Sequence, residues 1–188
     1  MPKQRITKEA IVETAFEIAR SKGMGEVMVR SVADRLGCSV QPVYSYCGSI
    51  EGLRREVVEK TVGFVREYAE AHIDKNDLFR STGRAYISLA KEEPELFAIF
   101  ILHRREGISS LEDLYESEAN PGTAEVIAKE LNIDRSLARQ LHLNMLIYTI
   151  GIGTVFSVTS PGIPAEEIYG QQERAYEAFM NYLTDNGG

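Results

Sequence analysis

Apolar residues recur every three or four positions along nearly the whole chain, and the two-residue alternation of β-strands is almost absent. This period places apolar side chains on one face of a helix. The sequence therefore predicts an all-α protein of about nine helices. With 188 residues and 44% hydrophobic content, the chain is long enough to form a small head and a larger body.

Capping residues divide the first part of the chain into three helices. Thr7 is placed to cap a first helix that ends at Gly23, where a residue without a side chain can leave the helical conformation. A short second helix is expected from Val29 to Leu36. Ser39 is placed to cap an equally short third helix.

Longer helices are expected after residue 48. The periodicity predicts a fourth helix over about residues 49–72, with Asp77 placed to cap the fifth and Pro94 ending or kinking it. Two long helices should close the chain, at about residues 134–158 and 164–183. The first of these is apolar nearly all round, which requires cover on more than one side.

Charge is divided unevenly along the chain. Residues 1–66 contain 11 lysines and arginines against 8 acidic residues, a net charge of +3, whereas the remainder contains 10 against 20, a net charge of −10. A basic head can face phosphate groups while an acidic body is kept away from them. The overall net charge of −7 therefore does not exclude a nucleic-acid partner.

Cysteine usage and the N-terminal sequence favour the cytoplasm. The chain contains only Cys38 and Cys47, neither in a C-x-x-C pair nor near a histidine at metal-ligand spacing. The first 16 residues lack the apolar region and cleavage site of a signal peptide. The apolar segment 141–158 includes His142 and Asn144, which favours a helix buried in protein over a membrane span.

The segment from Val29 to Tyr46 has the order helix, glycine turn, helix. Ala33 is small enough to let two helices approach closely, and Gly37 can make the turn between them. Three apolar residues would fill the space between the helices: Val32, Leu36 and Val43. The segment therefore predicts a helix-turn-helix, whose second helix can enter the major groove of DNA.

Residues 7–58 resemble the DNA-binding head of the TetR family of transcriptional regulators. The matching positions are Val32-Ala33, Gly37-Cys38-Ser39, Val43-Tyr44-Ser45-Tyr46 and Glu51-Gly52-Leu53. The rest resembles the family in its plan, with a Pro-Glu-Leu-Phe segment after the fifth helix and two long C-terminal helices. The resemblance implies a DNA-binding domain over residues 1–48 and a helical regulatory and dimerisation domain over residues 49–188.

The same resemblance assigns nine residues to the DNA interface. It implies that Ser39, Tyr44 and Tyr46 face phosphates, that Val40, Gln41, Pro42 and Ser45 lie toward base edges, and that Lys8 and Arg30 are candidate contacts to the phosphate backbone. Among the base-facing residues Gln41 has the only amide, a group that can pair with adenine.

Three positions depart from the family's pattern. Cys47 stands where phenylalanine is usual, Ile50 where a phosphate-binding lysine is frequent, and Met28 where a threonine often begins the second helix. The missing lysine removes one charge-assisted phosphate contact, which predicts lower affinity and a shallower salt dependence. Cys47 is either a tolerated replacement or a thiol with a lowered pKa, near a helix N-terminus, that senses oxidants.

The predicted body contains aromatic, sulfur and polar side chains at helical spacing. Most are expected in the core, but an apolar ligand pocket with a few polar groups would draw on the same residues. The candidates for ligand binding are Tyr86, Phe100, His103, His142, Asn144, Met145 and Tyr148. For His142, a hydrogen-bonded core position is the alternative.

No metal ion, cofactor or catalytic machinery is expected. The three histidines, His72, His103 and His142, fall on three different predicted helices, so a shared metal site would require all three to converge. The sequence lacks a phosphate-binding G-x-x-x-x-G-K motif, a nucleophile elbow and the H-E-x-x-H motif of zinc enzymes. We therefore expect a non-enzymatic protein.

The resemblance implies a cytoplasmic, ligand-responsive regulator, most often a repressor in this family. It would bind a palindromic DNA operator as a homodimer joined through the two C-terminal helices, and a small-molecule effector would control it. The alternative keeps the DNA-binding dimer but replaces the small molecule with a protein partner.

Overall fold

The computed structural model describes residues 6–103, 105–159 and 162–186, and within these ranges it contains helices but no strand. This confirms the predicted all-α class. In chain order the helices are α1 (Lys8–Lys22), α2 (Val29–Leu36), α3 (Gln41–Cys47), α4 (Ile50–His72), α5 (Leu78–Glu92), α6 (Pro94–Ile101), α7 (Leu111–Glu118), α8 (Thr123–Leu131), α9 (Arg135–Ser157) and α10 (Ala165–Asn186), with a short 3-10 helix at Met24–Glu26.

The first two helices begin and end where the sequence predicts. The Thr7 hydroxyl accepts a hydrogen bond from the Ala10 N–H at 3.2 Å, and Gly23 ends α1. Helix α2 spans the predicted residues and ends at Gly37, whose φ of +65° lies in the left-handed region that glycine adopts without strain. Local capping chemistry is therefore sufficient to set both ends of α1 and the C-terminal end of α2, whereas Met28 before α2 makes no capping hydrogen bond through its side chain.

The predicted cap of α3 is wrong. The helix begins at Gln41, and the residue before it, Val40, makes no capping hydrogen bond through its side chain. A cap at Ser39 would place Pro42 at the third helical position, where a capping side chain normally finds a backbone N–H. Proline has no N–H to offer, so Ser39 gains little as a cap.

The cap predicted for α5 is also replaced by another residue. The Asp77 carboxylate accepts hydrogen bonds from Arg80 and Arg84 instead of from the start of the helix. The Phe79 N–H donates to the Glu130 carboxylate on α8 at 3.0 Å. A carboxylate 51 residues away thus satisfies one of the open N–H groups of α5.

The chain divides into two compact units. The head unit comprises residues 1–68 and 93–103, and the body unit comprises residues 69–92 and 104–188. The head core is formed by α1, α2, α3 and the first half of α4, and Ile99 of α6 packs against it. The functional division predicted at residue 48 concerns DNA binding and stays a prediction.

Arg20 of α1 contacts two other parts of the head unit, the residue that precedes α6 and an aromatic ring of α4. The Arg20 guanidinium donates to both carboxylate oxygens of Glu93, with Nε to Oε2 at 2.8 Å. The same guanidinium lies 5.2 Å from the centre of the Phe64 ring on α4. Arg20 therefore connects α1 with α4 and with the residue that precedes α6.

The body unit is built around α9, which contacts α5, α8 and α10. One apolar cluster contains Leu141, Met145 and Leu183, and a second contains Ile87, Phe156 and Ile168. No helix among the described residues combines the length and apolar content needed to cross a bilayer.

Candidate nucleic-acid interface

The corner between α2 and α3 has a packed apolar interior. Val32, Ala33 and Val43 are each at most 1% exposed, and Gly37 makes the turn between the two helices. Because α3 has seven residues, burying Val43 fixes one of its faces and leaves the opposite face on the surface. The sequence folds locally so that a short helix is held outward.

The predicted DNA-contacting residues of α3 lie on this outward surface. Tyr44 is 48% exposed, Tyr46 is 45% exposed and Val40 is 38% exposed. Ser39, Gln41 and Ser45 are also exposed, whereas Pro42 is half-buried. The structure therefore brings all seven predicted positions of this segment together, and Gln41 is among the exposed ones.

Tyr46 also has a structural contact. Its hydroxyl donates to the carbonyl oxygen of Ile6 at 3.4 Å. Since Ile6 immediately precedes the cap of α1, this bond connects the exposed face of α3 with the start of α1.

The two predicted backbone contacts, Lys8 and Arg30, have different surroundings. Lys8 Nζ lies 2.6 Å from the Glu56 carboxylate on α4, and the hydrogen bond to Glu56 raises the pKa of the Lys8 ammonium. Arg30, the second residue of α2, is exposed and has no ion-pair partner among the described residues. Arg30 is therefore available to a phosphate, whereas Lys8 is already neutralised.

Four further cations of the head unit were not singled out by the sequence. Lys22, Arg35, Arg55 and Arg66 are exposed, and none has an ion pair within the part of the chain that the structure describes. The only sequence signal for them is the positive charge of the first 66 residues. Sequence alone does not separate a free cation from a paired one.

Of the two alternatives for Cys47, the structure contradicts the thiol of lowered pKa and favours the tolerated replacement. The residue is the last of α3 and is half-buried, and burial raises the pKa of its thiol, with a further increase from the Glu56 carboxylate. Because the thiolate is the reactive form, these surroundings favour an unreactive cysteine. Cys38 is half-buried against the head core.

The seven predicted ligand-binding residues are divided between the two units. Phe100 and His103 belong to the head unit, and the other five belong to the body unit. Tyr86 and Asn144 are half-buried, and burial raises the pKa of the Tyr86 phenol. The Tyr148 hydroxyl donates to the Gln171 carbonyl at 3.4 Å.

His142 and Met145 occupy the interior of the body unit. His142 Nδ1 lies 3.2 Å from the Tyr115 hydroxyl, and its ring makes edge contacts with Tyr115 and Phe79. Burial lowers the pKa of the His142 imidazole, which favours its neutral form. Met145 is 7% exposed within the cluster around Leu141. These contacts favour the core interpretation of both residues.

The histidines do not converge. His72 ends α4, His103 follows α6 and His142 lies on α9. Within the described ranges, no group of three or more histidine, cysteine, aspartate or glutamate side chains has the arrangement of a metal site.

The arrangement of helices matches a solved structure, described as a TetR-like transcriptional regulator from Rhodococcus sp. RHA1. The two chains share 11% sequence identity and superpose with a TM-score of 0.64, over 92% of this chain and 96% of the other. The fold is that of a TetR-like transcriptional regulator. No protein-family model and no curated protein matches the sequence. At this identity, the TetR-like similarity is one of fold.

Proposed function

We propose that this protein is a transcriptional regulator that binds a palindromic DNA operator as a homodimer and changes its DNA affinity when a small molecule binds its body. The observation that carries the proposal is the outward face of α3, where Gln41, Tyr44 and Ser45 are exposed above the buried Val43. A seven-residue helix held on a packed corner has the dimensions to enter a major groove.

Base contacts and phosphate contacts divide among the exposed residues. Gln41 offers the donor and acceptor pair that recognises adenine, with Val40, Pro42 and Ser45 beside it on α3. Ser39, Tyr44 and Tyr46 have hydroxyls for phosphate oxygens, and Arg30 offers a free guanidinium. The pairing of Lys8 with Glu56 makes Lys8 a weaker phosphate contact than Arg30.

The proposed dimer is supported by apolar groups left exposed on the two C-terminal helices. On α9, Ile147 is 45% exposed and Val155 is 58% exposed, with the exposed Gly151 between them at helical spacing. On α10, Tyr182 is 64% exposed. A second copy of the same surface would cover these groups through a two-fold axis. Two heads would then contact successive major grooves about 34 Å apart.

Control by a small molecule requires a difference in affinity between two states. An effector releases DNA only if it binds the DNA-incompatible conformation more tightly, because equal affinity for both states shifts nothing. Repression would follow if the bound dimer blocks access of polymerase to the promoter. The alternative, control by a protein partner, would need no recognition groups inside the body.

The proposal places the protein in the cytoplasm and assigns it no catalytic step. Both cysteines are free, as expected in a reducing compartment. The residues gathered on α3 present hydrogen-bonding groups to a partner instead of a nucleophile with an adjacent base.

Selection of bound sequences from random DNA by the purified full-length protein tests the proposal. We expect a palindrome whose half-sites are centred about 10 base pairs apart. The Gln41→Ala variant should relax the preference at one base pair of each half-site, because it removes a bidentate contact while leaving phosphate contacts in place. An unchanged dimer mass and melting temperature would show that the variant remains folded. Equal, salt-insensitive affinity for selected and random DNA would overturn the proposal.

A further inference from the structure

Two buried polar side chains of the body unit have no hydrogen-bond partner. Ser81, Thr149 and Gln172 are 4%, 8% and 4% exposed. The Ser81 hydroxyl accepts from the Asp74 N–H at 2.9 Å, so its burial is compensated. Neither the Thr149 hydroxyl nor the Gln172 amide has a partner among the described residues. Neither residue has a polar atom among the described side-chain atoms that are both fully buried and without a partner, so the hydroxyl and the amide each retain contact with a small solvent-sized space. Polar groups beside such a space need a water or a ligand as their partner.

The two unpaired groups meet at one glycine. A Cβ atom at Gly83 on α5 would lie 2.1 Å from Gln172 Nε2 and 3.8 Å from Thr149 Oγ1. Gln172 is on α10 and Thr149 is on α9, so three helices contribute to the same point. We call Gly83, Thr149 and Gln172 the polar layer. A side chain at position 83 would therefore displace the end of the Gln172 side chain.

Thr149 differs from other threonines in helices of this protein. Thr14, Thr82 and Thr154 each donate their hydroxyl to the backbone carbonyl four residues earlier, at 2.8, 2.7 and 2.7 Å. Such a bond satisfies a threonine hydroxyl inside an apolar environment. Thr149 does not make it, so its hydroxyl remains available to a partner outside its own helix.

Apolar side chains flank the polar layer on both sides. One turn away from Gly83 and Gln172 in one direction are Ile87 and Ile168, which pack together with Phe156. In the other direction the neighbours are Phe79, Met145 and Tyr176, which belong to the other cluster. The unpaired amide and hydroxyl thus lie between two apolar clusters, an arrangement typical of sites that bind small organic molecules.

We propose that the polar layer is the recognition element for the effector, and that the effector is a neutral molecule with an amide or hydroxyl group on an apolar body. Gln172 offers donors and an acceptor, and Thr149 offers one of each. The layer contains no charged side chain, and the adjacent Glu173 is paired with Arg80 at 2.6 Å. A charged ligand would therefore be desolvated without a counter-ion. This inference rests on the proposed ligand-responsive body.

Four probes that share a benzene ring distinguish which functional group the site recognises. They are benzamide, benzyl alcohol, toluene and benzoate. Binding to the full-length protein is followed by the shift in melting temperature at millimolar probe, without DNA. We expect benzamide and benzyl alcohol to raise the melting temperature, and toluene and benzoate to raise it much less. In the Thr149→Val/Gln172→Met double variant, affinity for benzamide should fall about tenfold or more.

The stability of the same double variant without probe distinguishes a binding site from a structural one. Near-isosteric apolar replacements remove two unpaired groups, so its melting temperature should equal or exceed that of the wild type. The Thr154→Val variant on the same helix removes a satisfied hydroxyl and should keep benzamide binding. Equal binding of benzamide by the wild type and the double variant would overturn the inference, as would a wild type that binds none of the probes and holds only water in the layer.

DNA binding is measured separately on the selected operator. If the wild type binds benzamide at the polar layer but binds no operator, the result supports the effector site and contradicts the proposed regulatory function. If it binds the operator but none of the probes, the result supports the regulatory function and contradicts the effector site. The two proposals are therefore tested independently.

Discussion

The head and body units leave different polar groups without partners. In the head unit, five exposed cations have no ion pair within the described residues: Lys22, Arg30, Arg35, Arg55 and Arg66. In the body unit, five arginines are each paired with a carboxylate: Arg80, Arg84, Arg105, Arg135 and Arg139. Four other cations of the body are exposed and have no ion pair within the described residues: Lys75, Lys91, Lys129 and Arg174. The body also holds an amide and a hydroxyl that lack a hydrogen-bond partner, on the largely buried residues Gln172 and Thr149.

This difference indicates two kinds of partner. Unpaired cations on a surface attract a polyanion without a cost in buried charge, and the contact depends on salt. An unpaired neutral group in an interior favours a small neutral ligand, because only a desolvated hydrogen bond compensates its burial. The free cations of the body lie in a region of net negative charge, whereas residues 1–66 have a net charge of +3. The head therefore fits an extended polyanion outside the protein, and the body fits a small partner inside it.

The largest effect is expected in the polar layer of the body. In Gly83→Ala the new methyl group would collide with the Gln172 amide, and the repacking should lower the free energy of unfolding by about 1–3 kcal/mol. Chemical denaturation measures this loss. Gly63→Ala in the head is the matched control: nothing lies within 4 Å of its Cβ position, so the change should be neutral or stabilise by up to about 1 kcal/mol. Equal stabilities for both variants would contradict the close packing at Gly83.

A smaller effect is expected from removing a free cation of the head. Arg30→Ala should weaken operator binding roughly threefold to tenfold at low salt and reduce the salt slope by about 1, because one phosphate contact is lost. Fluorescence anisotropy at several salt concentrations measures both quantities. Arg135→Ala removes a paired, 69% exposed arginine of the body and should change neither. If the two variants behave alike, free and paired cations do not differ in function.

Acid should destabilise the body unit through His142. Burial lowers the pKa of His142 in the folded protein below its usual value of about 6.5, so the unfolded chain binds a proton first as the pH falls. The stability that depends on neutral His142 is present above about pH 6.5 and is lost as the pH falls through the lowered pKa. A loss of about 1 kcal/mol corresponds to roughly 2–4 °C in a chain of this size.

Melting temperatures between pH 7.5 and pH 5 provide the measurement. The His142→Gln variant should lose less stability on acidification than the wild type, because it has no buried imidazole to protonate. His103→Gln, which replaces an exposed histidine, should retain the wild-type dependence. A wild-type pH dependence that persists in His142→Gln would assign the effect to other groups.

The smallest effect is expected from releasing a paired cation in the head. Glu56→Gln removes the partner of Lys8, which lies two residues from the Ile6 carbonyl that binds Tyr46. We expect operator affinity to rise by about twofold with a slightly steeper salt slope. Glu13→Gln, which releases Lys60 in the middle of α4, serves as the control and should leave affinity unchanged. A weaker complex in Glu56→Gln would show that the pair positions the head.

Local signals predicted the helices that have strong caps. Thr7, Gly23 and Gly37 fix the ends of α1 and α2, and Asp134 caps α9 by accepting from the N–H groups of Ser136 and Leu137. Helices α7 and α8 were not predicted individually, although Ser110 caps α7 by accepting from the Asp113 N–H. Their buried stripes are sparse, since Tyr115 is the buried residue of α7 and Ala124 and Ile127 are those of α8, so no clear helical period was visible.

The candidate site was predicted unevenly, for a related reason. The exposed face of α3 follows from its own seven residues, because burying Val43 determines which side chains remain outside. The polar layer combines single residues from α5, α9 and α10, and no local pattern relates Gly83 to Thr149 or Gln172. Of the seven residues that the sequence suggested for ligand binding, Tyr86 lies on α5 and four lie on α9, but none lies on α10.

By itself, the sequence determined the helical class, the positions of well-capped helix ends and the outward helix of the corner, because each depends on residues within a few turns of one another. Only the tertiary structure decided which charges are neutralised and which buried groups lack a partner. Lys8 and Arg30 have the same charge sign, yet Glu56 lies beside one and no carboxylate pairs with the other. Partners of this kind come from distant segments, and their positions are fixed only when the helices pack.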